Sequence, residues 1–418
     1  QYLEKKERAF ISRVCEGTLE YKIRLDYILN QFSTVPAEKM KPVIRELLRS
    51  SVYQVLYMDS VPDSAVCNEA VKLARKKGFY NLTGFVNGVL RKIAREYGSI
   101  RFPGKDQPEE YLSVIYSMPK WLVQRFLEQY GFEKTEKMLE SFLKEKPTTI
   151  RIREYLVDKK AVLESLERQQ VTVEKAPYIE NAYYLKNYDY IPALEAFRMG
   201  TVQVQGVSSM LVGDIADPNE GDYVIDLCAA PGGKTLCIAD KLKGTGRVDA
   251  RDISRSKTDL IRENAIRQSF LNVVVTEKDA SQLDSDSLEK ADILIADVPC
   301  SGLGVMGRKT DIKYKLNPAK IQELAGLQRE ILEQASTYVK PGGTLIYSTC
   351  TIGKEENQDN VEWFLEHYPY ELESLDPYLC EELRSETTKK GYLQLLTGVH
   401  KCDGFFIARL KRKTEWNA

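Results

Sequence analysis

The amino-acid sequence predicts an α/β protein whose second half, from about residue 200, folds around a mainly parallel, seven-stranded, Rossmann-like sheet. The prediction rests on five short apolar runs that are separated by helix-forming segments: YVIDL, RVDARDI, NVVVTE, ADILIADVP and GTLIYSTC. Such alternation is typical of βαβ units, in which parallel strands pair side by side. Two later runs, YLQLLTG and GFFIARLKR, are expected to close the sheet with an antiparallel hairpin.

The first half of the chain has a different texture. Residues 1–97 are predicted to be all-helical, since apolar side chains recur near helical spacing and no strand pattern is visible. The stretch 98–115 is rich in helix breakers and is predicted to be a linker. Residues 116–195 are predicted to form helices followed by a small α+β segment, and residues 196–418 to form the sheet domain.

Composition narrows the class of protein. The chain has 418 residues, 43% hydrophobic and 29% charged, and it lacks an apolar stretch of about 18 residues that could cross a membrane. Its eight cysteines form no C-x-x-C pair and only two histidines are present, so neither a metal site nor a disulfide framework is expected. The opening letters, QYLEKKERAF, contain no apolar signal core. We therefore expect a soluble, cytoplasmic monomer with reduced thiols and no membrane partner.

The charge is unevenly distributed along the chain. Residues 1–100 carry 17 lysines and arginines against 11 acidic residues, a balance of +6, whereas the whole chain has a net charge of −1. A basic helical module at this end could supply contacts to nucleic-acid phosphates. An ordinary solvated helical surface explains the charge equally well.

A glycine-containing turn follows the first strand of the sheet domain. The run Asp226–Thr235 reads DLCAAPGGKT and leads into a helix, a place where a ligand can approach the backbone. Asp252 follows Gly232 by 20 residues at the end of the next strand, about where an acid reaches ribose hydroxyls. A Walker A loop is excluded because Cys228 stands where its first glycine is required, and GxGxxG is absent. A structural turn without a ligand remains an alternative on pattern alone.

Acids and thiols follow the later strands. Asp279 comes after the third strand, Asp297 and Cys300 lie in the run DVPCSG after the fourth, and Cys350 ends the fifth. The carboxyl ends of neighbouring strands in such a sheet meet in one crevice, so both thiols are expected to face it. A lone cysteine at a strand end is usually a small core residue, but two in one crevice favour chemistry.

Together these motifs resemble a known family. DLCAAPGGKT, ADVPCSG, IYSTCTI followed by EEN, and the closing DGFFIARL resemble the signature set of RNA cytosine-5 methyltransferases over roughly residues 200–412. The helical region, with VYQVLYMDSVPDSAVCNEAVKLA and GFVNGVLRKI, is similar to the NusB-like domain of RsmB (Sun) enzymes. The resemblance implies a class I methyltransferase fold, S-adenosylmethionine as cofactor and ribosomal RNA, 16S rRNA of the small subunit, as partner.

The resemblance also implies roles for individual residues. The residues that it assigns to the cofactor are Cys228, Ala229, Ala230, Pro231, Gly232, Gly233, Lys234, Asp252 (ribose), Asp279 (adenine) and Asp297. Asp297 is placed between cofactor and target base, Cys350 attacks C6 of the cytosine, and Cys300 helps to release the product. Gln205, Ser208 and Ser209 match an element beside the cofactor, with Gly206 where an acid is common. Arg308–Lys313 matches the segment after the Pro-Cys motif, and no catalytic role is assigned to it.

Methylation of cytosine at C5 requires a reactive thiol such as the two cysteines supply. Cytosine C5 is a poor nucleophile, and thiolate attack at C6 makes it enamine-like. A free thiol is only a few per cent thiolate at neutral pH, so an activating environment is required, and the sequence does not identify the proton acceptor. DNA enzymes of related chemistry attack with the Pro-Cys thiol, so the presence of both Cys300 and Cys350 favours RNA. A transfer RNA methyltransferase and a noncatalytic RNA-binding factor remain the alternatives.

Overall fold

The computed structural model describes residues 3–415, which form two compact units. The first comprises the chain up to Lys144 together with the segment Met306–Lys315. The second comprises Glu145–Val305 and the chain from Leu316 onward. All the site residues predicted from the sequence belong to the second unit.

The first unit is helical, as the sequence predicts for its first 97 residues. Its helices before Lys144 are α1 (Lys5–Glu20), α2 (Lys22–Phe32), α3 (Pro42–Tyr57), α4 (Asp63–Lys76), α5 (Thr83–Glu96), α6 (Pro108–Ile115) and α7 (Lys120–Phe142). Leu25, Leu48 and Leu90, from α2, α3 and α5, are fully buried in one apolar core. Within α7 the backbone kinks at Gly131, where a φ of 74° favours glycine.

Two features of this unit differ from the predicted helical domain of residues 1–97 followed by a linker at 98–115. The stretch 98–115 contains α6, which begins at Pro108, where proline fits the first helical turn, and buries Leu112. The ammonium of Lys313 is buried, 2.8 Å from the carbonyl oxygen of Glu20 and 2.7 Å from that of Ser117. Burial lowers the pKa of Lys313 to about 8. Lys313 therefore ties the segment Met306–Lys315 to the helices of this unit.

The remaining helices, in chain order, are α8 (Lys159–Arg168), α9 (Glu195–Arg198), α10 (Val207–Ala216), α11 (Gly233–Lys241), α12 (Arg255–Arg267), α13 (Ile312–Lys315, in the first unit), α14 (Pro318–Tyr338), α15 (Gln358–His367) and α16 (Glu386–Lys390). The second unit begins with a small antiparallel sheet of four strands in the order β2-β3-β1-β4. These strands are β1 (Thr148–Ile152), β2 (Thr172–Lys175), β3 (Ala182–Lys186) and β4 (Val202–Val204). This sheet and α8 form the small α+β segment that the sequence predicts.

The main sheet confirms the predicted Rossmann-like fold. Its strands are β5 (Tyr223–Asp226), β6 (Arg247–Asp252), β7 (Val273–Glu277), β8 (Ala291–Asp297), β9 (Val339–Thr349), β10 (Tyr370–Leu372), β11 (Tyr392–Leu395) and β12 (Phe405–Arg412). Seven of the described strands follow the order β10-β12-β9-β8-β5-β6-β7, and β11 pairs with β12 as an eighth. The strands from β5 to β9 are mutually parallel, whereas β12 runs antiparallel to β9, β10 and β11. The closing hairpin expected from the sequence is thus present.

Strand β8 shows why the sheet is buried on both faces. Ile293 and Ile295 pack in one apolar core with residues of α10 and α11, whereas Leu294 and Ala296 pack in another with residues of α14 and α15. Side chains alternate between the faces of a strand, so a strand covered on both sides needs a continuous apolar run. The run ends at Asp297, which marks the carboxyl edge of the sheet.

Candidate active site

The turn after β5 is held by its own backbone and by the end of β6. Ala229 N–H donates to the carbonyl of Arg251 at 2.8 Å, and Ala230 N–H donates to Asp252 Oδ2 at 3.0 Å. Gly232 has a φ of 104°, which favours glycine, and α11 begins at the next residue. A Cβ on Gly233 would lie 3.5 Å from the side chain of Gln205. The turn therefore packs against Gln205, and its first residues are fixed by Asp252.

Asp226 lies at the start of this turn and is completely buried. Its Oδ2 accepts a hydrogen bond from the Thr235 hydroxyl at 2.6 Å, whereas its Oδ1 has no partner among the described residues. Burial raises the pKa of Asp226 from 3.8 to about 7. A buried carboxyl oxygen without a partner is costly unless a bound molecule or water supplies a donor.

The next two strand ends also carry acids. Asp252 is buried, and its Oδ1 accepts from Ile253 N–H at 2.9 Å and lies 3.0 Å from Lys257 Nζ. Asp279 follows β7 by two residues and is exposed, with its Oδ1 accepting from the backbone N–H of Ser281 at 2.9 Å. Cys228, in the turn itself, is half-buried, and burial raises the pKa of its thiol. These side chains line successive strand ends in the order that the sequence predicts.

Asp297 is held by two neighbours at the end of β8. Lys234 Nζ lies 2.6 Å from its Oδ2, and the Ser348 hydroxyl donates to its Oδ1 at 2.8 Å. Burial alone would lower the pKa of Lys234, but Asp297 outweighs it and the pKa is raised. The resemblance assigns Lys234 to the cofactor, whereas here its ammonium is directed at Asp297. Ser348 was not predicted as a site residue; its place opposite Asp297 follows from the pairing of β8 with β9.

The two predicted thiols meet. The sulfur atoms of Cys300 and Cys350 are 3.2 Å apart, although the residues are 50 positions apart in the chain. Contact with Cys350 and burial raise the pKa of Cys300 well above its ordinary value of 9.0. Cys300 is therefore protonated at neutral pH. A negative sulfur at Cys350 contributes to the raised pKa of Lys234, although less than Asp297 does.

Two glycines allow the loops behind the thiols to pack closely. A Cβ on Gly304 would lie 2.1 Å from the carbonyl oxygen of Gly404, and a Cβ on Gly404 would lie 2.7 Å from Gly304 Cα. Gly304 N–H donates to the carbonyl of Cys350 at 3.1 Å, and Gly404 N–H donates to the carbonyl of Gly304 at 3.0 Å. The glycine of the closing DGFF run is thus required by the loop that carries Cys350.

Sequence reasoning missed a buried polar cluster next to the thiols. Its members are Ser301, Gln328, Tyr347, Thr351, Glu356, Asn357 and Asn360, all of which are buried. The sequence does contain a signal for this cluster: the EEN run of the family signature includes Glu356 and Asn357, but the resemblance assigns them no role. Gln205 and Ser209, which the resemblance places in one element beside the cofactor, are in contact with each other. Gln205 Nε2 donates to the Ser209 hydroxyl at 3.3 Å.

Within residues 3–415, no group of three or more histidine, cysteine or acidic side chains is arranged to hold a metal ion. None of the helices in that range is long and apolar enough to cross a membrane. Around the paired thiols of Cys300 and Cys350, the chemistry available is that of the Asp297 carboxylate and the Lys234 ammonium.

A Rossmann-like sheet with a glycine turn after its first parallel strand, and acids at the following strand ends, is typical of α/β enzymes that bind a nucleotide-like cofactor, a class that includes the class I methyltransferases. The chain belongs to the RsmB/F family of 16S rRNA methyltransferases: the model for 16S rRNA methyltransferase RsmB/F matches residues 214–411. The NusB family model matches residues 1–95, and the ferredoxin-like domain of RsmF/B-like methyltransferases matches residues 118–189.

Individual relatives cover nearly the whole chain. The probable ribosomal RNA small subunit methyltransferase B of Bacillus subtilis is 37% identical over 98% of this chain and 92% of its own. The probable enzyme of the same name from Synechocystis is 31% identical over the same shares. The crystal structure of PH0851 superimposes with a TM-score of 0.82 at 27% identity, covering 99% of this chain and 92% of that one.

Proposed function

We propose that this protein transfers a methyl group from S-adenosylmethionine to C5 of a cytosine in 16S ribosomal RNA through a covalent bond between Cys350 and C6. The observation that carries the proposal is the 3.2 Å approach of the Cys300 and Cys350 sulfurs beside the Lys234–Asp297 pair. Membership of the RsmB/F family and the names of the two bacterial relatives support 16S rRNA as the substrate.

The turn after β5 fits the cofactor. Gly232 gives the turn its left-handed backbone conformation, and the buried Oδ1 of Asp226 has no partner among the described residues. Asp252 and Asp279 follow at the next strand ends, where a ribose and an adenine are expected. S-adenosylmethionine supplies a methyl group on a sulfonium, which is why a nucleophilic carbon must be generated on the base.

Cys350, Lys234, Asp297 and Cys300 have different roles in the proposed reaction. The Cys350 thiolate forms a bond to C6, which places the electron pair of the C5–C6 double bond on C5 for attack on the methyl group. The Lys234 ammonium favours a negative sulfur at Cys350, and Asp297, held by Lys234 and Ser348, is available to the cytosine edge. After the methyl group has moved to C5 and the cofactor has left as a neutral thioether, the C5 proton passes to water and the electron pair of the C5–H bond re-forms the C5–C6 double bond. The S–C6 bond breaks at the same time, and its electron pair stays on the Cys350 sulfur. We assign this release to Cys300, whose raised pKa makes it a poor first nucleophile.

The target base must be accessible. A cytosine in a regular helix has to leave its stack before a thiol can reach C6, at a cost of a few kcal/mol. Loops and partly unfolded RNA are therefore the expected substrates. The basic helical unit is the expected source of phosphate contacts.

Trapping of covalent RNA on denaturing gels tests the assignment of the thiols. Cys350→Ala is expected to abolish both methyl transfer and the covalent band, because no other thiol starts the reaction. Cys300→Ala is expected to accumulate a band with S-adenosylmethionine and 16S rRNA, and the double variant to lose it. Cys380→Ala removes an exposed thiol of the same unit and should behave as the wild type.

The opposite pattern, with a band from Cys350→Ala and none from Cys300→Ala, would move the attack to the Pro-Cys thiol. Bisulfite sequencing of methylated transcripts identifies the substrate. A cytosine protected from conversion in a transfer RNA, with none protected in 16S rRNA, would overturn the ribosomal assignment. Absence of methyl transfer to any RNA by the wild type would favour a noncatalytic factor.

A further inference from the structure

Two adjacent buried residues, Glu356 and Asn357, contact mainly different thiol loops. The loops also meet directly, since the hydroxyls of Ser301 and Thr351 are 2.6 Å apart. The side chains of Glu356 and Asn357 have no exposed surface, and together they precede α15. Glu356 contacts the residue after Cys300, whereas Asn357 contacts the residues on both sides of Cys350. Neither side chain takes part in the bond-making and bond-breaking steps of the proposed reaction.

The contacts of Glu356 are concentrated on the Cys300 loop. Its Oε1 accepts from the backbone N–H of Ser301 at 2.8 Å, and its Oε2 accepts from the Ser301 hydroxyl at 2.5 Å. Gln328 Nε2 joins them, donating to Glu356 Oε1 at 3.0 Å and to the carbonyl of Pro299 at 2.9 Å. The residues on both sides of Cys300 are therefore fixed by this carboxylate and its partner. The Thr351 hydroxyl, at 3.3 Å from Oε2, is a longer contact.

The contacts of Asn357 are concentrated on the Cys350 loop. Its Oδ1 accepts from the Thr349 hydroxyl at 2.6 Å, and its Nδ2 donates to the carbonyl of Thr351 at 3.2 Å. Nδ2 also donates to Gln394 Oε1 at 2.8 Å. An asparagine at the position just before a helix usually caps it with its side chain. Asn357 has this position before α15 but makes no side-chain cap, since its amide is used by the Cys350 loop.

We infer that Glu356 and Asn357 are positioning residues with separate tasks: Glu356 places Cys300 for release of the product, and Asn357 places Cys350 for attack. A carboxylate suits the first task because it offers only acceptors to the donors of Ser301 and Gln328. An amide suits the second because Thr349 presents a donor and Thr351 an acceptor. The inference rests on the proposed roles of the two thiols.

The two isosteric exchanges, Glu356→Gln and Asn357→Asp, form a matched pair. Glu356→Gln puts an NH₂ group against donors, so the Cys300 loop should move while Asn357 still holds Cys350. We expect turnover to fall about tenfold or more, with the covalent RNA band accumulating as with Cys300→Ala. Asn357→Asp puts an oxygen against the carbonyl of Thr351. We expect the single-turnover rate of adduct formation to fall, with no accumulation.

A merely structural role would give a different result. It would lower the melting temperature and slow adduct formation and breakdown to the same extent in both variants. That outcome, or a band that accumulates with Asn357→Asp and not with Glu356→Gln, would overturn the inference. If Glu356→Gln does not fold, Ser301→Ala can replace it, because this variant removes the hydrogen bond from the Ser301 hydroxyl to Glu356. We expect Ser301→Ala to accumulate a weaker covalent RNA band. Breakdown of its RNA adduct at the wild-type rate would also overturn the inference.

The Cys300→Ala variant, measured in parallel, separates the positioning role from the assignment of the thiols. If Cys300→Ala accumulates a band and Glu356→Gln does not, the positioning role fails while the proposed function stands. If Cys300→Ala itself accumulates none, the assignment of the thiols fails first.

Discussion

Lys234 Nζ lies 2.6 Å from Asp297 Oδ2, which joins the first turn of α11 to the end of β8 across the carboxyl edge of the sheet. The Ser348 hydroxyl holds the other carboxylate oxygen. Asp297 is thus fixed in orientation beside a partly buried ammonium. A carboxylate held in this way can accept a hydrogen bond from the amino group of a cytosine without first reorganising.

The first prediction concerns Asp297. Asp297→Asn should lower kcat by about 10²- to 10⁴-fold, the range for loss of a group that assists in the transition state. The affinity for S-adenosylmethionine should fall less than kcat does, because Asp252 and not Asp297 holds the turn after β5. Steady-state methylation of 16S rRNA and calorimetry of cofactor binding measure the two quantities.

The chain offers a matched control for this exchange. Asp292 also lies on β8 and its Oδ1 is 2.7 Å from Lys340 Nζ, at the opposite end of the same pair of strands. Asp292→Asn should leave kcat within a few-fold of the wild type. Equal losses in the two variants would mean that the effect of Asp297→Asn comes from the stability of the sheet.

The second prediction concerns the cofactor. Asp252→Ala should weaken the binding of S-adenosylmethionine by about 10- to 100-fold, since hydrogen bonds to a charged group contribute about 1.5–3 kcal/mol. It also removes the acceptor for Ala230 N–H, so the turn should loosen. Asp259→Ala, at a half-exposed carboxylate of α12, is the control. Calorimetry that gives the same affinity for both variants would contradict the pocket.

The third prediction is a pH dependence of stability from Asp226. Its pKa is raised from 3.8 to about 7 by burial, so the folded protein keeps a proton that the unfolded chain loses. This contribution to stability is complete below the unfolded pKa and is lost as the pH rises to about 7. Asp226→Asn removes the titration. The melting temperature of the variant relative to the wild type should therefore increase between pH 4 and pH 8, as thermal unfolding in matched buffers would reveal; a constant difference would contradict the raised pKa.

The fourth prediction concerns the basic helical unit. Arg75, Lys76 and Lys77 form an exposed run at the end of α4. If they bind RNA phosphates, their replacement by glutamine should lower RNA affinity and reduce the salt slope by up to about 2, at about 0.7 for each phosphate that is no longer neutralised. Neutralising the exposed Lys320, Lys389 and Lys390 of the other unit makes the same charge change. Equal slopes in both triple variants would place the phosphate-binding side chains elsewhere.

Much of the sheet and its edge was predictable from the sequence because strand ends are local features. Asp226, Asp252, Asp297 and Cys350 each end or follow an apolar run, and parallel pairing aligns those ends whatever the loops do. The direction in which a side chain points depends on the tertiary structure and not only on its neighbours in the sequence. The resemblance assigns Lys234 to the cofactor by sequence position, but the contact of its ammonium with Asp297 depends on how α11 leaves the sheet.

The polar cluster could not be predicted for a related reason. Ser301 and Glu356 are 55 residues apart, and their meeting depends on the packing of α14 and α15 against the sheet. The stretch 98–115 illustrates the opposite case. Its prolines and glycines are typical of a linker, yet Pro108 begins a helix whose apolar side chains find a core, so tertiary packing decides what local propensity leaves open.

The contact between Gly304 and Gly404 bears on any attempt to re-engineer the enzyme. Each glycine occupies the space that a methyl group on the other would need, so a substitution at one position cannot be compensated by shrinking its neighbour. A mutant library aimed at new RNA targets should therefore keep both positions constant. Substitutions are better introduced at the side chains around the crevice, since these changes leave the backbone of the two thiol loops in place.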